Sequence, residues 1–118
     1  LPDFDLKTIK AVQGIGGVCN EGFKDWFDAF EYMKAEINKS NYDICILGCG
    51  AYGFPLAAHV KRMGKKAIHM GGATQMLFGI KGKRWEDEYG EFMNEHWIRP
   101  SKEETPINAM KIENGCYW

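Results

Sequence analysis

Between Ile44 and Trp85 the chain has no Asp or Glu, although 16 acids are spread through its 118 residues. The same stretch holds seven of the 15 cations: Lys61, Arg62, Lys65, Lys66, Lys81, Lys83 and Arg84. Over the whole chain the net charge is only −1. That excludes a molecule-wide polyanion binder, so nucleic acid is not an expected partner, and it equally excludes an acidic solvating tail. No run of 18 apolar residues is present, so no membrane span is expected, and the N-terminus lacks a basic-then-apolar secretion signal. The four cysteines, Cys19, Cys45, Cys49 and Cys116, form no C-x-x-C and show no zinc-ligand spacing. Reduced thiols in a cytoplasmic protein are the expectation. His59, His69 and His96 are scattered, and no Ser-His-Asp or Cys-His constellation can be assembled by spacing.

What the chain does have is glycine placed with a mechanism. Residues 42–72 read as strand, glycine loop, helix, strand, with Gly48, Gly50 and Gly53 in the spacing G-x-G-x-x-G and Tyr52 inside the loop. An apolar strand, Ile44 to Leu47, runs into a turn suited to glycine, and a helix opens at once. Free amides at that helix start, with the positive end of its dipole, make a site for an anion. No Lys-Ser or Lys-Thr follows the last glycine, so this is not a Walker loop. A nicotinamide cofactor held in the ordinary way also needs an acid about 20 residues on to bind ribose. The next strand ends instead in His69-Met70. The glycines thus read either as a phosphate site or as devices for close helix–strand packing.

At 118 residues, 45% of them hydrophobic, the chain suits one domain. It divides into a strand plus an amphipathic helix (1–41), a glycine-loop core (42–85), and a helix with an extended tail (86–118). Alternation predicts a short strand over 7–13. Phe23, Trp26, Phe27, Phe30, Met33 and Ile37 recur at helical steps and predict a helix over 22–39, with Asn20 as a candidate N-cap. Strands over 43–47 and 65–69 flank a helix from Phe54 to Met63, with Pro55 in its first turn and Gly64 closing it. A short helix is predicted over 73–78, a basic loop over 79–85, and a helix over 86–97. Tyr117 and Trp118 are expected to pack back on the body. Strand–helix alternation makes the fold class α/β with a short parallel sheet. Three strands are few for a parallel sheet. A chain beginning at Leu1 rather than Met is therefore expected to be a piece of a larger domain, or to have a partner such as a second copy of itself.

His69 falls at the carboxyl end of a strand, where open α/β sheets place ligands, or it is a histidine satisfied by backbone. Gly71 and Gly72 repeat the strand-then-glycine arrangement, with Thr74 and Gln75 following. Lys81 and Arg84, with Lys83, sit on a glycine-punctuated loop that would close over a diphosphate or simply be solvated. Trp85 reads as a base-stacking surface or a core anchor. Asp3-Phe4-Asp5 has the D-x-D form that suits magnesium or manganese beside a diphosphate, but it lies at the terminus outside any predicted element, and chance explains it better.

Residues 43–79, continuing through Lys83-Arg84-Trp85, resemble the C-terminal half of a bacterial family associated with surface-polysaccharide synthesis. That family is similar in pattern to glycosyltransferases of the GT-D type. The resemblance implies a Rossmann-like, three-layer domain that binds the diphosphate of a nucleotide-sugar, with a divalent metal (Mn or Mg) as its cofactor. Amides around Gly48, Gly50, Gly53, Gly71 and Gly72 would then hold phosphate oxygens, and Lys81 and Arg84 would neutralise charge. In such transferases the acidic metal motif lies upstream of this segment, and nothing here matches it convincingly. Two other classes stay open: a dinucleotide-dependent oxidoreductase domain, and a non-catalytic scaffold module that dimerises through exposed aromatics.

Overall fold

A computed structural model describes residues 3–14 and 22–118. Helix α1 spans Trp26–Lys39. Its N-cap is Asp25, whose carboxylate accepts from the Asp28 amide at 2.9 Å, while Asp28 accepts from the Lys24 amide at 3.1 Å. The predicted cap, Asn20, lies outside the described residues. Ala29, Met33 and Ile37, four residues apart, form the buried stripe of α1, whereas Phe27 is 69% exposed.

Strands β1 (Ile44–Leu47) and β2 (Lys66–His69) pair in parallel, with Ile44 opposite Lys66 and Leu47 opposite His69. Between them runs α2 (Gly53–Arg62), preceded by a single 3₁₀ turn at Gly50–Tyr52. Leu56 and Val60, one turn apart, are 1% and 0% exposed. The helix ends as expected at Gly64. Its amide donates to the Lys61 carbonyl at 3.0 Å and the Lys65 amide to the Val60 carbonyl at 3.2 Å. Helices α3 (Ala73–Leu77) and α4 (Lys83–Tyr89) follow, then short 3₁₀ turns through the tail.

The fold is thus α/β with four helices and a two-stranded parallel sheet among the described residues. The expected third strand over 7–13 is not formed. That segment is extended, and Ala11 and Val12 pack against the core. Its polar ties are a contact from the Val12 amide to Met33 Sδ at 3.5 Å and a bond from Lys7 Nζ to the Asn41 carbonyl. The helices cover the sheet face carrying Cys45, Leu47 and Ala67. Ile44, Ile46 and Ile68 point the other way and remain 48%, 37% and 47% exposed. With that face uncovered, the described residues do not show the expected three-layer arrangement. The last helix starts and ends earlier than predicted: Gly82 is its N-cap, so Lys83, Arg84 and Trp85 open α4 instead of forming a loop, and at Tyr89 it gives way to a 3₁₀ turn over Gly90–Phe92 instead of running to 97. No helix among the described residues is long and apolar enough to cross a membrane.

Candidate functional site

Because β1 and β2 run side by side in register, the chain leaves both at the same edge. Leu47 O accepts the Met70 amide at 3.0 Å and contacts His69 Nδ1 at 3.2 Å, which ties the two exits together. The turns that follow then touch. A Cβ at Gly48 would lie 2.6 Å from Thr74 Oγ1 and 3.1 Å from the Gly71 carbonyl oxygen. Only a residue without a side chain lets the turns approach this closely. Gly50 and Gly71 have a different role: both take positive φ, +52° and +57°, with open space where a Cβ would stand.

Around this junction lies a cleft of about 580 Å³, within the range of small-molecule sites. Gly48, Gly50 and Tyr52 line it from the first turn, and Gly71, Gly72 and Gln75 from the second. Among the described residues, the amides of Cys49, Gly50, Gly71 and Gly72 donate to no backbone carbonyl, whereas those of Tyr52, Ala73, Thr74 and Gln75 close the turns. The first turn also faces the N-terminal end of α2, where the dipole is positive.

Four of the predicted site residues lie elsewhere. Gly53 is buried under the His69 ring, and a Cβ there would collide with it. His69 therefore serves packing and the bond to Leu47, and neither residue lines the cleft. Lys81 is pinned beside Ile98, its amide donating to that carbonyl at 2.7 Å. The segment does not hang over the cleft as a free loop. Arg84 stands behind the wall. Its Nη1 reaches Glu113 Oε2 and the Tyr117 hydroxyl, each at 3.0 Å, and those two groups raise its pKa above the ordinary arginine value, Tyr117 contributing most. Gly72, which does line the cleft, is also a packing glycine: a Cβ would lie 2.7 Å from the Tyr117 ring. Trp85 packs over the same glycine, is half-buried, and belongs neither to the cleft lining nor to the buried core cluster.

The opposite wall comes mostly from residues that periodicity and motif did not single out as site residues. Trp26 is one of them, and it stacks on the predicted Tyr52 with centroids 4.9 Å apart and 4° between planes. Ile112, Glu113, Tyr117 and Trp118 arrive from the tail. The tail is held by the Gln75 side-chain amide donating to the Tyr117 carbonyl at 2.8 Å and by the Arg84 amide donating to the Cys116 carbonyl at 2.9 Å. Glu113 and Asn114 adopt positive φ, +43° and +56°, unusual for residues other than glycine, and Glu113 is clasped there by Arg84 and by the Cys116 thiol. The expectation that Tyr117 and Trp118 fold back carried the only advance sign of this wall.

Cys49 also lines the cleft. Burial pushes its thiol above the ordinary cysteine value, with Cys45 adding to the shift, so it is neutral at neutral pH and a poor nucleophile. Cys45, Cys49 and Cys116 are free thiols, and Cys19 lies outside the described residues. Asp3 and Asp5 are exposed, and no group of three or more His, Cys, Asp or Glu among the described residues could hold a metal ion. Among the described residues, Glu113 is the one carboxylate side chain lining the cleft, and it is already paired with Arg84. That donor set does not fit a resident divalent cation, which favours several hard oxygens.

No protein-family model, curated protein or solved structure matches the chain.

Proposed function

We propose that the cleft binds the diphosphate portion of a nucleotide-sugar, in a Rossmann-like unit of a glycosyltransferase-like protein of surface-polysaccharide synthesis. One observation carries this reading: two glycine turns in contact, both lining one cleft and both carrying amides that have no backbone partner among the described residues. Such amides are fixed donors for phosphate oxygens and need no reorganisation when charge arrives. None of the seven cations of that stretch lines the cleft, so an anion there is favoured by the turn amides and by the positive end of the α2 dipole. The Trp26–Tyr52 stack, in which Tyr52 is 8% exposed, and the edge-to-face Tyr117–Trp118 pair line the cleft with aromatic surface beside which a base can lie. Arg84 contributes from behind the wall, by holding Glu113 and Tyr117 in place. No metal step is assigned, since the donor set does not fit one. A metal would enter with the diphosphate.

A thermal-shift screen of nucleoside diphosphates, nucleotide-sugars and dinucleotides, each with and without manganese, tests the reading. A true ligand at a hundredfold excess over its Kd adds about 2.7 kcal/mol, a rise in Tm of roughly 10 °C. Nucleotide-sugars and their diphosphates are expected to give it. A response confined to dinucleotides would instead favour the oxidoreductase class. A second reading, a self-associating scaffold module, is supported by the exposed Ile44, Ile46 and Ile68 face. Such a module would assemble in light scattering and ignore every nucleotide in the screen.

A further inference from the structure

Glu113 brings a negative charge to the lining of a cleft whose turn amides favour an anion. Its backbone is strained. Glu113, Asn114 and Gly115 take positive φ in succession, +43°, +56° and +72°, and only the last of them is glycine. What holds Glu113 there is polar: its Oε2 accepts from Arg84 Nη1 at 3.0 Å and from the Cys116 thiol at 3.3 Å. The ion pair is weak, because the Arg84 and Glu113 side chains keep contact with solvent, 45% and 63% exposed. A strained turn and a weak clasp place the held and released states of Glu113 close in free energy.

Arg84 does not depend on Glu113 for its position. Its Nη1 also donates to the Tyr117 hydroxyl at 3.0 Å, and its guanidinium lies 5.3 and 5.8 Å from the ring centroids of Trp85 and Tyr117. Tyr117 itself lines the cleft. A guanidinium relieved of Glu113 therefore stays beside the cleft wall, and its planar donors suit two phosphate oxygens at once.

We infer that Glu113 is an internal competitor of the anion: its carboxylate holds the Arg84 guanidinium until a phosphate of the ligand takes its place. The inference rests on the diphosphate reading of the cleft and adds to it the residue that limits affinity there.

Calorimetric titration with ADP, CDP, GDP and UDP tests the competition. Glu113→Gln keeps the length of the side chain and removes its charge, so at least one diphosphate is expected to bind about tenfold tighter, the worth of one charge-assisted hydrogen bond no longer contested. Glu113→Gly, which suits φ +43° and removes the carboxylate outright, is the second variant and should also tighten binding. Arg84→Gln should weaken binding about tenfold. Glu36→Gln removes the same charge from an ion pair with Lys39 outside the cleft lining, and it should leave affinity unchanged. A residue that only braces the wall gives the opposite sign, because its loss loosens the site and weakens binding. If a diphosphate binds the unaltered protein and neither Glu113 variant binds it more tightly, the competition is refuted and the cleft reading stands. The competition is equally refuted if Arg84→Gln binds as well as the unaltered protein, or if Glu36→Gln tightens binding as much as Glu113→Gln. If no diphosphate binds the unaltered protein or either Glu113 variant, the cleft reading fails and the competition falls with it.

Discussion

Leu56→Ala should cost about 2–5 kcal/mol of folding stability and lower Tm by roughly 10 °C or more. Leu56 is 1% exposed, in the cluster where α2 meets α1 and the covered face of the sheet, beside Met33 and Val60. Truncating it removes apolar contact and leaves a void that neighbours already packed at 0–2% exposure cannot readily fill. A small domain has only about 5–15 kcal/mol in total, so the loss is a large share. Phe54→Ala, two residues earlier in the same helix, is the contrast: that ring is 74% exposed, and its loss should cost much less. Chemical denaturation of the three proteins checks this. Equal effects at the two positions would mean that α2 does not pack through its Leu56–Val60 stripe, and the geometry it imposes on the first glycine turn would be wrong.

The second large effect is on binding. Gly50→Val should abolish the 2.7 kcal/mol or so that a nucleoside diphosphate adds at a hundredfold excess. Gly50 sits at φ +52° with empty space at its Cβ position, so a branched side chain there projects from a cleft-lining turn. The left-handed conformation itself costs an L-residue about 1–2 kcal/mol, so baseline stability also falls. Gly64→Val separates the two consequences, because Gly64 has φ +78°, equally open space, and no part in the cleft lining. Both variants should lose baseline stability in thermal melts. Only Gly50→Val should lose the ligand-dependent increment, and its retention would mean that the first turn does not contact phosphate.

Much of the strand–turn–helix–strand core was readable in the residues, because glycine, proline and the apolar run each act locally. Gly64 closing α2 and Pro55 in its first turn needed no information from the rest of the chain. The strand over 7–13 failed for a physical reason. Alternation reports an extended chain with one covered side, and Ala11 and Val12 do rest on the core, but alternation cannot supply a ladder partner. The early start of α4 was missed because a run of Lys and Arg after glycine reads equally as a loop or a first turn.

At the site, the two turns were legible and the wall was not. Gln75 meets Tyr117 across 42 residues, and Arg84 meets Glu113 across 29. The acid-free stretch identified Arg84 as an available cation, yet the tail returns a carboxylate to it. His69 stood correctly at a strand end, but position along a strand does not reveal that its ring covers Gly53. Three of the five glycines, Gly48, Gly53 and Gly72, admit a neighbouring side chain or turn where a Cβ would stand, so packing and ligand access share the same residues.

Amide shift mapping on ¹⁵N-labelled protein, titrated with a nucleoside diphosphate that stabilises it, tests the shared cleft most directly. Signals from residues 48–52 and 71–75 should move together and saturate at one ligand concentration. Movement confined to one of these segments, or to a surface that includes neither, would contradict the account.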